Sequence, residues 1–193
     1  MANLPSRDKA LALMHQYVES ESLRRHMYSV EAVCRAYARK FGEDEELFGI
    51  TGLLHDFDYE KFPDEHPVPG VEMLRERGYP DEVLHAILAH YTPRTGVEPE
   101  TLLDRTLWAC DEITGLVTAA ALVRPNRSVM DLEAKSVMKK FKDKAFAAGV
   151  NREEVQHAVG LLDVDLKEHT QFVIEAMRGI APELGLQGAE VPS

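Results

Sequence analysis

Apolar residues recur every three or four positions along almost the whole chain, and no segment alternates with the period of two expected of a half-buried strand. The pattern predicts an all-α protein. Ser6 is placed to cap a first helix running to about Ser20, with Leu11, Met14, Tyr17 and Val18 on one stripe. A second helix, from about Ser22 to Phe41, carries Met27, Val30, Val33, Cys34, Tyr37 and Ala38 on its apolar side and stops at Gly42. The acidic run Glu43 to Glu46 opens a third helix, where negative side chains complement the positive end of the helix dipole. That helix ends in Gly52-Leu-Leu-His-Asp-Phe-Asp-Tyr-Glu. Pro63, Pro67, Pro69 and Gly70 mark a loop, followed by helices over 71–77 and 81–91, a loop over 92–99 and a long apolar helix over 100–123. Ser128 is expected to cap a helix through Lys139, and residues 141–148 to form another. Asn151 starts a final helical region reaching about Ile180, and the tail from Pro182 is expected to be loosely held.

No internal repeat, linker or low-complexity block divides the chain, so the sequence predicts one domain over 1–193, with a core at about 23–127 and a C-terminal helical extension over 128–181. The 193 residues are 45% apolar, enough for a substantial core. Charge narrows the partners. With 22 Lys plus Arg against 33 Asp plus Glu, a formal net charge of −11 counts against a nucleic-acid polymer or an anionic membrane, because both need basic surface to displace counterions. Cys34 and Cys110 sit in apolar segments without the paired spacing of a disulfide framework. The amino terminus lacks an apolar signal core, and no run approaches the roughly 20 apolar residues of a membrane span. The expected compartment is therefore the cytoplasm.

Eight histidines stand out in so acidic a chain. Several lie next to, or are followed by, carboxylates near the ends of predicted helices: His26, His55-Asp56, His66, His90 and Asp111. The long steps between them exclude a local metal clip, but a helical bundle assembles ligands from several facing helices. Imidazole and carboxylate together suit iron, manganese, zinc, cobalt or nickel, whereas an all-oxygen set would favour magnesium or calcium. Neighbouring positions on a helix point about 100° apart, so at a helix end His55 and Asp56 can both reach a cluster beside it. The two oxygens of Asp56 could bridge two metals. His85, on a different face of the same helix, is the alternative to His90, and neither it nor His15, His157 or His169 is assigned a role.

The arrangement resembles the HD superfamily of metal-dependent phosphohydrolases, whose signature is a histidine, a later His-Asp doublet and a distal aspartate, here His26, His55-Asp56 and Asp111. The context Gly52-Leu-Leu-His-Asp-Phe, His66-Pro-Val-Pro-Gly, Ala89-His-Tyr and Ala109-Cys-Asp-Glu-Ile-Thr-Gly-Leu is similar to the branch that holds two metals, and the likeness covers about Leu23 to Arg127. It implies one divalent transition metal on His26, His55, Asp56 and Asp111 and a second on Asp56, His66 and His90. It departs from the HD-GYP pattern, since Gly78-Tyr-Pro precedes His90 and the lysine after the doublet falls at Lys61, which counts against cyclic-dinucleotide cleavage.

The resemblance implies hydrolysis of a small phosphate ester or nucleotide, with a hydroxide shared by the two metals as nucleophile and Asp56 and Lys61 in catalytic positions. Arg94, Arg124, Arg127, Lys139, Lys140 and Lys142 follow elements of the site and could hold substrate phosphates, although each also reads as an ordinary solvated side chain. Residues after Arg127 could cover the site or make a homodimer contact. HD-fold proteins with the same six ligands also resemble mixed-valent di-iron oxygenases, and a non-catalytic binding module would keep the same fold.

Overall fold

The computed structural model describes residues 4–188. Among them there are eleven helices and no strand: α1 Arg7–Tyr17, α2 Glu21–Phe41, α3 Glu45–Leu54, α4 Val68–Glu76, α5 Asp81–Ala89, α6 Thr92–Thr95, α7 Leu102–Leu122, α8 Ala134–Phe141, α9 Arg152–Leu161, α10 Leu166–Arg178 and α11 Ala181–Leu184. The all-α expectation holds. The chain forms two compact units, one ending at Trp108 and the other beginning at Ala109, so the division falls inside α7.

In the first unit, helix starts follow local capping chemistry. The hydroxyl of Ser20 accepts the Leu23 N–H at 3.3 Å to open α2, and the carboxylate of Asp44 accepts the N–H groups of Glu46 and Leu47 to open α3. Of the stripes read from the sequence, Met14, Val18, Met27, Val30, Val33, Cys34, Tyr37 and Ala38 are buried and Leu11 and Tyr17 partly so, and Leu53, Leu54, Leu74 and Ile87 join them in the core. Helices α2 and α3 pack tightly because α3 carries glycine at the crossing: a Cβ on Gly52 would lie 3.0 Å from both the Glu31 nitrogen and the Val30 carbonyl oxygen. Backbone atoms cannot rotate out of the way, so a methyl group there must push α3 outward. Gly52→Ala is expected to destabilise the fold by about 1–3 kcal/mol, measured as a lower denaturant midpoint at unchanged slope. An unaltered midpoint would contradict the close approach.

The second unit departs most from the sequence pattern. The helix expected from Ser128 begins only at Ala134, because the Ser128 hydroxyl is committed elsewhere: it donates to the Gln187 carbonyl at 3.0 Å and accepts the Met130 N–H at 3.1 Å. The expected helix over 141–148 is a series of turns. Arg152 donates to the carbonyls of Ala147 and Val150 at 2.6 and 2.8 Å, and also to that of Phe146, which supports the backbone in place of a helical ladder. The final helical region is split, with Asp163 at φ 58° ending the first half and Asp165 capping α10. Residues 182–188 are held rather than loose: Leu184 and Leu186 are buried, and the Leu186 carbonyl accepts the Val129 N–H at 2.9 Å. The part of the expected tail over 189–193 lies outside the described residues.

Candidate metal centre

Four imidazoles of the first unit converge on one carboxylate. His26 comes from the second turn of α2, His55 and His90 terminate α3 and α5, and His66 sits in the loop before α4. The Oδ2 atom of Asp56 lies 3.4 Å from Nε2 of His55 and 3.7 Å from Nε2 of His26, while Oδ1 lies 3.2 Å from Nε2 of His66 and 3.6 Å from Nε2 of His90. His26, His55 and Asp56 thus offer ligand atoms to one group, and Asp56, His66 and His90 to a second, with the atoms of each group within 4.8 Å of one another. The carboxylate is shared, one oxygen toward each imidazole pair.

The other ring nitrogens explain why the Nε2 atoms point inward. His55 Nδ1 bonds the carbonyl of Gly52 at 2.8 Å, and His90 Nδ1 bonds the carbonyl of Ile87, in each case the residue three positions earlier at the end of the same helix. A carbonyl only accepts, so Nδ1 donates and Nε2 is the nitrogen turned toward the cluster. His66 is oriented differently: its Nδ1 is 2.6 Å from Oδ1 of Asp58. Asp58 is 1% exposed, and its other oxygen accepts the Gly70 N–H at 2.9 Å. Asp58 was not among the residues singled out in the sequence, where it stands two residues after Asp56 and twelve before the glycine of His66-Pro-Val-Pro-Gly.

The turn carrying these carboxylates is anchored to the start of α2. Glu60 accepts the N–H groups of Glu19 and Ser20 at 3.1–3.2 Å, just before the helix that bears His26. Electrostatics follow from this crowding. Burial alone would raise the Asp56 carboxyl, but the charge and hydrogen bonds of His55, with hydrogen bonds from His66 and His90, hold it well below the usual carboxylate range. Burial would lower His66, but the carboxylates of Asp56 and Asp58 prevail and push it up to about 9.

Asp111 is partly buried on α7, which runs unbroken from Leu102 to Leu122, and its backbone carbonyl accepts the Thr114 hydroxyl at 2.7 Å. His85, the rival of His90, instead meets the buried Asp104 at 3.0 Å. Lys61 is exposed, with its ammonium 3.4 Å from a Glu19 carboxylate oxygen. Arg94 is exposed and donates to the Asp64 carbonyl. In the second unit, Arg124 pairs with Asp131, Arg127 and Lys139 are exposed, Lys140 lies over the Phe146 ring at 4.4 Å, and Lys142 ends α8.

Residues 23–116 match the HD domain family. The chain is 30% identical over 142 residues to ribonuclease Y of Desulfotalea psychrophila, covering 69% of this chain and 26% of that protein. It is 30% identical over 140 residues to ribonuclease Y of Rhodopirellula baltica, with the same coverages, and 30% identical over 100 residues to that of Geobacter metallireducens, covering 50% and 18%. The chain therefore spans about a quarter or less of the length of these relatives. Among the described residues no helix is long and apolar enough to cross a membrane. With the histidine, the His-Asp doublet and the helical frame all inside the matched segment, the chain belongs through residues 23–116 to the HD superfamily.

Proposed function

We propose that the protein is a metal-dependent phosphohydrolase acting on a small phosphate ester or nucleotide. One divalent transition metal would be held by His26, His55, Asp56 and Asp111, and a second by Asp56, His66 and His90. The observation that carries this reading is the division of the Asp56 carboxylate, with each oxygen directed at a separate pair of Nε2 atoms. The donors fit the group: His55 and His90 have Nδ1 fixed on backbone carbonyls and His66 has Nδ1 on Asp58, so in each ring Nε2 is the nitrogen left to ligate, that of His66 on giving up its proton to the metal. Mixed imidazole and carboxylate donors favour iron, manganese, zinc, cobalt or nickel. When bound, such metals acidify water and neutralise charge on phosphate oxygens.

The residues of the chain do the rest. Asp56 sets the separation of the two positions, Asp58 holds the His66 ring in its plane, and the carbonyls of Gly52 and Ile87 hold His55 and His90. The formal charge of −11 supports a small substrate over a long polymer, since a single phosphate ester needs only local positive charge. The ribonuclease Y relatives support a second reading, an RNA phosphodiester as substrate.

Protein purified without chelator and reconstituted anaerobically is expected to carry about two transition metals per chain. It is also expected to hydrolyse a phosphate ester under nitrogen with manganese, cobalt or nickel, and to lose that activity on chelation. Fewer than one metal per chain after reconstitution would sink the assignment. Turnover requiring iron and dioxygen would move it to oxygenase chemistry. Cleavage of a short oligoribonucleotide in preference to mononucleotides would favour the second reading.

A further inference from the structure

Metal binding leaves the aromatic side chains around His66 without a task. Tyr59, three residues after Asp56, is 48% exposed, and its ring stands edge-on to the His66 imidazole with centroids 5.4 Å apart. Tyr91 follows His90 in the chain, is partly buried, and places its ring centroid 6.0 Å from that of His66 and 6.4 Å from that of His90. The Arg94 guanidinium lies over the Tyr91 ring, 5.6 Å from its centroid. Among the described residues of the first unit, the exposed large apolar side chains are Tyr59 and Val68, and both border the loop that carries His66.

Tyr59 is also held in position. Its N–H donates to the Asp56 carbonyl at 3.0 Å, and the turn on either side is pinned by Asp58 and Glu60. A water-exposed aromatic ring fixed beside a phosphate-handling centre, with a cationic side chain nearby, offers what a nucleotide presents: a flat π-face joined to negative charge.

Resting on the phosphohydrolase reading above, we propose that Tyr59, with Tyr91 and Arg94 beside it, forms a subsite that takes the nucleobase of a nucleotide substrate. The base stacks on Tyr59 while its phosphates face the metal centre. Stacking on an aromatic ring tolerates any base, so the subsite selects for nucleotides over simple phosphate esters without selecting a particular base.

The test uses the full, metal-loaded chain and 2-aminopurine riboside triphosphate, whose fluorescence falls when the base stacks. Quenching is expected with the parent protein and with Tyr59→Phe, and Tyr59→Ala is expected to weaken binding about tenfold with unchanged metal content. Binding of inorganic tripolyphosphate, followed by calorimetry, should be weakened by Tyr59→Ala far less than binding of the nucleotide. Equal binding by the parent and Tyr59→Ala, loss in Tyr59→Phe equal to that in Tyr59→Ala, or an equal effect on tripolyphosphate would each overturn the proposal. Quenching by a chain that holds fewer than one metal would support the base subsite while the hydrolase reading fails.

Discussion

Asp56→Ala is expected to empty both metal positions at once. Each oxygen of that carboxylate faces a different imidazole pair, at 3.2–3.7 Å, so removing it takes a donor from both groups. Removing any one histidine would take a donor from only one. The fold should survive the change, because the Asp56 side chain is 17% exposed and the turn around it is tied down independently by Asp58 and Glu60. Activity on a phosphate ester is expected to fall about a thousandfold, equivalent to roughly 4 kcal/mol in the barrier. Metal analysis and initial rates on the same sample give the decisive comparison. A variant with full metal content and parental rate would show that the carboxylate does not bridge.

Gly70→Ala is expected to act on the same centre from a distance, through Asp58. A Cβ at position 70 would lie 2.7 Å from Cγ and 2.9 Å from Oδ2 of Asp58, and Asp58 is buried with a short side chain that has little room to turn. The carboxylate must move, and the 2.6 Å contact that orients His66 moves with it. Affinity at the position served by His66 and His90 should fall about 10- to 100-fold, the usual effect of losing the partner that orients a ligating histidine. The other position should change much less. Stability should fall by about 1–3 kcal/mol from overpacking. Stepwise metal titration separates the two sites, and two unchanged binding steps with an unchanged unfolding midpoint would refute the account.

Much of this architecture was legible in the sequence, for identifiable reasons. Helices α1 and α2 bury one stripe each and start at a capping Ser, so periodicity and capping agree there. The convergence of His26, His55, His66 and His90 on Asp56 was legible because a His-Asp doublet at a helix end and distant histidines near other helix ends have few other joint explanations. Illegible parts depend on partners distant in sequence. Ser128 resembles an N-cap, yet its hydroxyl bonds Gln187, 59 positions away. Residues 141–148 resemble a helix, yet Arg152 satisfies their carbonyls instead. Asp58 was invisible as a site residue because its role depends on a loop folding back to place His66 and Gly70 on its two oxygens.

His55 and His90 are each the first residue past a helix, bonded through Nδ1 to a carbonyl of the final turn. Those carbonyls lie at the negative pole of the helix and lack an onward partner in the ladder. One contact therefore both seals a helix end and aims a ligand. The negative pole also enriches the electron density of the imidazole, making Nε2 a stronger donor. Because backbone groups of the helices hold both rings, these side chains have little conformational entropy left to lose in holding an ion. The rigidity of the centre thus comes from the ends of its own helices.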